Sequence, residues 1–470
     1  MRKTLSIIAI MIFSLLTSVN VIAADLTTKS QKEVEARRVE LRDSILQHIH
    51  GAVMPTTRVN INDFGAKGDG KTDCCKAFAK AIKQAKKTGG AYIVVPEGTY
   101  FMNGPLTLDN NICIELQQNA TLKFTDDYTK YPVVSTSWEG TFVYNHSPFI
   151  YGKRLKNVAI IGEGTIDGNA QNTFGTWRDK QKEAQTLSRK MNHDEVPVEQ
   201  RVFGNGSWLR PQLMQLYECE GITLNSVMVK NSPFWCIHLL KSKDIICRGI
   251  RYDAKLKNND GIDPEYSKDI LIEGVHFDNA DDNIAIKCGR DNDGWNTNMP
   301  CENIVIRQCH FKGLHAVVVG SEMSAGVRNI IVENCDFAGY VKRGVYLKTN
   351  PNRGGFIRNV FVKDCTFGNV EDLFYVTNRY AGEGLTNVHH SVVENLFVDG
   401  LKCDTVMQSA LVLQGTELIP VRNVMLTNVN VKQAETGMSF EYVKNITLGE
   451  CVIGKRAGTP SKASANDKLF

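Results

Sequence analysis

A right-handed, single-stranded parallel β-helix, all-β apart from a short N-terminal helical segment and cap, is the fold that the sequence predicts, and three observations carry it. Short apolar phrases opened by Asn, Asp or Gly recur along the chain: Asn157-Val-Ala-Ile, Gly221-Ile-Thr-Leu, Asp244-Ile-Ile-Cys, Asp269-Ile-Leu-Ile, Asn303-Ile-Val-Ile, Asn329-Ile-Ile-Val, Asn359-Val-Phe-Val, Asn423-Val-Met-Leu and Asn445-Ile-Thr-Leu. From Gly221 the first five spacings are 23, 25, 34, 26 and 30 residues, the period of a solenoid. Each unit holds too few apolar residues to bury a core alone and alternates them with period two, so the units must stack as coils of short parallel strands. Stacking predicts that equivalent positions pile up. Cys309, Cys335 and Cys365 each stand two residues before Phe311, Phe337 and Phe367, with Val275 and Phe277 in the same slots one coil earlier. These cysteines read as inward-facing thiols in an apolar stack, since the chain has no His/Cys pattern of zinc-site spacing.

Ahead of the coils, Arg2 and Lys3 precede an apolar stretch, Leu5 to Leu16, that ends in small residues at Val21, Ala23 and Ala24. Residues 1–24 read as a cleavable signal peptide, because the apolar run is shorter than the roughly 20 residues of a spanning helix. A periplasmic or secreted protein with no membrane span after cleavage is expected. Residues 25–58 form a helical and connector segment rich in helix formers around Ser30 to Asp43, and residues 59–470 form the β-helix domain. At the start of that domain a strand at Val59, a Gly-rich turn and a helix from Cys74 to Lys87 build the cap, with Phe78, Ile82 and Ala85 at helical spacing.

The turn contains a decoy, since Gly65-Ala-Lys-Gly-Asp-Gly-Lys-Thr72 matches the phosphate-binding pattern G-x-x-x-x-G-K-T. An exported chain, the lack of a downstream strand ending in a metal-binding Asp and the lack of alternating strands and helices argue against nucleotide binding. Composition points the same way for nucleic acid. The 470 residues carry 55 Lys plus Arg against 51 Asp plus Glu, a net charge of +4, which is not a polyanion-coating surface. With 42% hydrophobic and 23% charged residues, disorder and collagen-like structure are excluded.

Acidic clusters interrupt the regular background. Asn258-Asn-Asp-Gly-Ile-Asp is followed by Asp278-Asn-Ala-Asp-Asp-Asn-Ile-Ala-Ile-Lys, and Asp260 lies 22 residues before Asp282, close to one coil. Neighbouring strands sit about 4.8 Å apart, so these carboxylates can gather, repel and raise the proton affinity of at least one of them. Such a set can hold a protonated acid beside an ionised base, as glycoside hydrolysis requires. It can equally be a calcium site or a solvated Asn/Asp turn ladder. Strict alternation from Ile284 and Ile286 would bury Asp282, so a bend between strands at Asp281 and Asp282 is expected to turn both outward. His315 follows Asp282 by 33 residues and Lys348 follows His315 by 33, which lines up an imidazole and a cation on the same face and suits an anionic sugar.

With these phrases in hand the chain resembles glycoside hydrolase family 28, the polygalacturonases and their relatives, over nearly the whole mature sequence from Asn62-Asp-Phe-Gly-Ala-Lys-Gly-Asp-Gly-Lys-Thr-Asp73 onward. The family's Asn-Thr-Asp motif is similar to Asn258-Asn259-Asp260, its paired Asp motif to Asp281-Asp282, its Gly-His-Gly motif to Leu314-His315-Ala316 and its Arg-Ile-Lys motif to Tyr346-Leu347-Lys348. The resemblance implies that Asp281 protonates the leaving oxygen while Asp260 and Asp282 activate water, giving inversion. It implies that His315 supports this set and that Lys348 holds a galacturonate carboxylate. Both glycines flanking the histidine are replaced, and Tyr346 stands where the family has arginine. Arg343 and Arg353 are nearby candidates for the missing charge, and Asn258 and Tyr346 complete the expected substrate-binding set.

The expectation is therefore an inverting hydrolase of galacturonate-containing pectic polysaccharide or oligosaccharide, acting as a monomer without cofactor or metal. A β-helix lyase and a non-catalytic carbohydrate-binding solenoid are the alternatives. The long polar segments 169–210 and 290–300 are expected to wall off one end of the groove. A closed groove admits only a chain end, which favours exo action on polygalacturonate or a rhamnogalacturonan-type pectin.

Overall fold

Each coil of the chain contributes strands to parallel stacks, and register is kept from one coil to the next over most of the molecule. This computed structural model describes residues 30–337, 339–381 and 389–456. The segment read as a signal peptide lies outside the described residues. One stack runs through Lys156–Gly162, Glu220–Asn225, Lys243–Arg248, Lys268–Glu273, Cys301–Arg307 and Val327–Glu333, paired without slippage. A six-stranded stack includes Ala120–Phe124, Thr165–Asp167 and Met228–Lys230. A third stack carries the acidic clusters.

The residues that open the repeated phrases explain the corners. Asn303, Asn329, Asn359, Asn395 and Asn423 adopt left-handed backbone with φ of 55–60°, a conformation Asn tolerates better than other residues bearing a Cβ. Their side-chain amides form a ladder, each Nδ2 donating to the Oδ1 one coil below at 2.9–3.0 Å from Asn329 to Asn423. The ladder includes Asn395, a unit absent from the sequence reading. Inside, the predicted pile is present: Phe277, Phe311, Phe337 and Phe367 stack face to face, and Cys309, Cys335 and Cys365 are buried free thiols.

Strict alternation does not hold throughout. Leu271, Val305, Ile331, Phe361, Phe397 and Met425 are the middle residues of apolar triplets, face outward and are nonetheless buried. The helix α1 (Gln31–Gln47) covers them with Val34, Leu41 and Ile45. A run of apolar residues without alternation is the mark of a strand covered on both faces. Ser30 and Glu33 form a reciprocal capping box at the start of α1, and Arg38 is buried against Glu333.

The helix α2 (Cys75–Lys87) closes the first coil with Phe78, Ala81, Ile82 and Ala85 in the main core. The phosphate-loop match does not lead into this helix. Lys71 and Thr72 lie in the strand Asp69–Asp73, and their main-chain N–H groups donate to the Asp69 carboxylate at 2.9 and 2.8 Å. Among the described residues no helix is long and apolar enough to cross a membrane.

Candidate active site

Three aspartates converge where the third stack is least regular. Asp260 sits in the turn before the strand Ile262–Glu265, and Gly261 is required there because a Cβ would lie 2.4 Å from the Asn283 carbonyl oxygen. Asp281 and Asp282 lie on Asn279–Ile286, whose pairing with Gly313–Val319 shifts register between Asn279 and Asp282. The bend expected between strands at this pair is instead an irregularity within one strand. Buried amides brace it: Asn279 Nδ2 donates to the Asn259 and Asp282 carbonyls, and Asn283 Nδ2 donates to Asn279 Oδ1 at 2.8 Å.

A carboxylate oxygen from each of Asp260, Asp281 and Asp282 lies within 4.8 Å of those from the other two. This is shorter than the about 6.5–9.5 Å that acid and base keep in most inverting glycosidases. Depth distinguishes the three. Asp281 is partly exposed, whereas Asp260 and Asp282 are 4% and 2% exposed.

Charges around the trio divide its protons. Burial would raise the Asp282 carboxyl, but Lys348 and His315 outweigh it and hold Asp282 well below the usual range. Lys348 Nζ donates to Asp282 Oδ2 at 3.2 Å, and His315 Nδ1 meets Asp282 Oδ1 at 2.6 Å. Burial first, and then the charge on Asp282, push the Asp281 carboxyl up. Asp260 is also driven up, by burial and then by Asp281 and Asp263, against the pull of Lys287. The site thus combines one carboxylate held ionised, Asp282, with two carboxyls of raised proton affinity, the partly exposed Asp281 and the buried Asp260.

The remaining predicted residues are distributed unevenly. Asp282, His315 and Arg343 are aligned in register on successive coils. Tyr346 presents its ring edge-on to His315 at 5.3 Å, with Lys348 Nζ 5.2 Å from the same ring. Arg343 sits against the rings of both Tyr346 and Tyr375, 4.5 and 4.3 Å from their centres, and its Nε donates to Asp372 at 3.1 Å. Asn258 touches the site through its main chain, donating its N–H to Asp281 Oδ2 at 3.2 Å while its side-chain oxygen accepts from Arg210. Arg353 is not brought to the groove. It is 1% exposed, its guanidinium donates to Asp291 at 3.0 Å, and its carbonyl accepts from Trp295.

Beside the trio stands a wall. A hairpin, Val133–Trp138 with Thr141–His146, joins the helices α3 (Lys182–His193) and α4 (Asp291–Thr297), so the two polar segments are folded elements. Arg201 pairs with Asp293 at 2.7 Å, and Asn192 Nδ2 donates to the Arg290 carbonyl at 2.8 Å. Trp138 stacks on Phe234 and Phe142 on Tyr266. Arg290 Nη2 donates to Glu322 at 2.6 Å, Glu322 meets Lys287 at 3.4 Å, and Lys287 lies 3.9 Å from Asp260. The hairpin and Lys287 went unassigned in the sequence reading. The signal for Lys287 was a charge at the end of the otherwise apolar Ile284-Ala-Ile286, but nothing in the sequence sets it beside Glu322.

A partly exposed carboxyl of raised proton affinity, next to an ionised carboxylate and a second recessed carboxyl, is equipment for cleaving a glycosidic bond, and the class of protein is a glycoside hydrolase. Comparison with known proteins is more specific: residues 86–452 match the family described as glycosyl hydrolases family 28, and the chain belongs to that family. It is similar to the crystal structure of a hyperthermoactive exopolygalacturonase from Thermotoga maritima, with 36% identity and a TM-score of 0.85, covering 89% of this chain and 96% of that one. A probable polygalacturonase of Vitis vinifera is 27% identical, over 79% of this chain and 74% of that protein. An exo-poly-alpha-D-galacturonosidase of Dickeya chrysanthemi is 26% identical, over 69% of this chain and 57% of that protein.

Proposed function

We propose that the protein is an exo-acting polygalacturonase that hydrolyses galacturonate-containing pectic chains from one end with inversion. The observation that carries the exo reading is the wall: hairpin, α3 and α4 rise beside Asp260 and are tied to it through Arg290, Glu322 and Lys287. Similarity to the Thermotoga maritima exopolygalacturonase supports the same reading.

In this reading Asp281, the most exposed of the three, donates its proton to the leaving glycosidic oxygen. Asp260 and Asp282 are too recessed to bond to the anomeric carbon themselves and act through a water, which gives inversion despite the short separation. His315 and Lys348 hold the two oxygens of Asp282 in place. Lys348 and Arg343 supply the cations for a galacturonate carboxylate. Arg343, seated against the rings of Tyr346 and Tyr375, stands in for the arginine that Tyr346 replaces. The chain is secreted or periplasmic and works as a monomer, on the strength of its first 24 residues and of a groove built within one coil stack.

Digestion of polygalacturonate tests the assignment. Slow loss of viscosity with release of saturated mono- or disaccharide supports it. Rapid viscosity collapse at low conversion indicates internal cutting, an ultraviolet-absorbing unsaturated end indicates a lyase, and no products indicate a binding solenoid.

A further inference from the structure

Lys287 is a cation buried where none is needed to contact a sugar. It is 4% exposed, with its Nζ 3.9 Å from Asp260, 3.4 Å from Glu322 and 4.8 Å from the centre of the Trp235 ring. Charged groups face it from every neighbouring element. Asp260 precedes the strand Ile262–Glu265, and Asp263 and Glu265 lie on it. Asp282 lies on Asn279–Ile286, the strand that Lys287 follows, Glu322 follows Gly313–Val319, and Lys348 ends Tyr340–Lys348. Glu265 is engaged by His238 at 2.9 Å and Ser137 at 3.1 Å, and Asp282 by His315 and Lys348. The carboxylates in ion-pair contact with Lys287 are Glu322 and Asp260, and these two compete for it.

Glu322 is itself shared. Its other oxygen accepts from Arg290, whose main-chain N–H donates to Gly140 at the tip of the hairpin. A Cβ on Gly140 would lie 3.0 Å from both Glu322 and the Arg290 nitrogen, so the hairpin tip packs directly against this carboxylate. The chain Arg290, Glu322, Lys287, Asp260 therefore runs unbroken from the wall to the trio.

We infer that Lys287 is a positioning residue that decides which of the two proton-seeking aspartates carries the proton, drawing it from Asp260 so that it resides on Asp281. This rests on the proposed roles of Asp260 as base and Asp281 as acid. Without a cation at 287, Asp260 faces Asp281, Asp263 and burial with nothing to offset them, and it keeps a proton that a base must not have. Glu322 acts in the opposite sense, because it takes part of the charge of Lys287 away from Asp260. Removing the charge at 322 frees Lys287 to pair with Asp260 more closely.

The two neighbours therefore predict shifts of opposite sign, which a purely structural role would not produce. In Lys287→Met the acid limb of the kcat profile on oligogalacturonate moves toward neutral by about one pH unit or more. In Glu322→Gln it moves to lower pH, and KM changes by less than about twofold in both, since both side chains are buried. Unmoved limbs, or limbs that move in the same direction, overturn the inference. If Lys287→Met does not fold by circular dichroism, Glu322→Gln decides alone, with a downward shift in support and no shift or an upward one against. Wild-type enzyme and Asp260→Asn are measured alongside. An inactive wild type, or an Asp260→Asn variant with full turnover, refutes the underlying reading of the site instead.

Discussion

The two outer faces of this β-helix are built from the same coils but solve opposite problems. Under α1 the coils present Leu271, Val305, Ile331, Phe361, Phe397 and Met425 in unbroken register, beside an amide ladder in which each Asn satisfies the next. On the groove face the register slips at Asn279–Asp282, and buried charges replace the apolar stripe. Several polar atoms there have no partner within the protein, among them Asp260 Oδ1, both oxygens of Asp263 and His315 Nε2. Buried polar groups left without a partner cost stability, so the groove face is a place where chemistry is kept at the expense of packing. The comparison separates what holds the solenoid together from what it does.

The sharpest way to break that separation is at the trio. Asp281→Asn keeps shape and packing but cannot donate a proton as a carboxylic acid does, so turnover is expected to fall by about 10²–10⁴-fold with the melting temperature unchanged or raised. Steady-state kinetics beside thermal unfolding checks both halves of that expectation. The same carboxyl sets the alkaline side of the activity profile. Because burial and Asp282 raise its proton affinity, it stays protonated to higher pH than an ordinary Asp, and kcat declines only as pH rises through that elevated value. A decline that survives in an Asp282→Asn background at unchanged pH would remove Asp282 as a cause.

The covered face predicts the converse. Leu41→Ala empties a contact between α1 and the coils and is expected to cost about 2–3 kcal/mol of stability while leaving kcat intact. Asn359→Ala removes the amide that links Asn329 to Asn395 and places a Cβ without a compensating hydrogen bond in left-handed backbone, at about 1–2 kcal/mol, again without a kinetic effect. Denaturant titration resolves both. A large loss of turnover in either variant would mean the faces are coupled.

How far each face was legible in the sequence follows from the same contrast. The repeat, the Phe and Cys piles and the paired aspartates are local or recur once per coil, and the structure places them as read. The helix α1 is legible in its helix formers, but its role is not: period-two alternation hides apolar triplets such as Ile304-Val305-Ile306, whose middle residues signal a second covered face. On the groove face Asp260, Asp281, Asp282, His315 and Lys348 do come together. Arg353 does not, because a loop rather than the coil period sets its position, and it turns inward to Asp291. Lys287 and Glu322 meet through a turn and a hairpin tip whose geometry no spacing encodes.

The central claim is that the recessed carboxylates act through water while Asp281 delivers the proton. Separation alone argues for a covalent route, since the three carboxylates approach within 4.8 Å, and depth argues for water. Proton NMR of the first product formed from oligogalacturonate measures the outcome directly. The account predicts that the β-anomer appears first from an α-linked substrate and then mutarotates. First appearance of the α-anomer would contradict it.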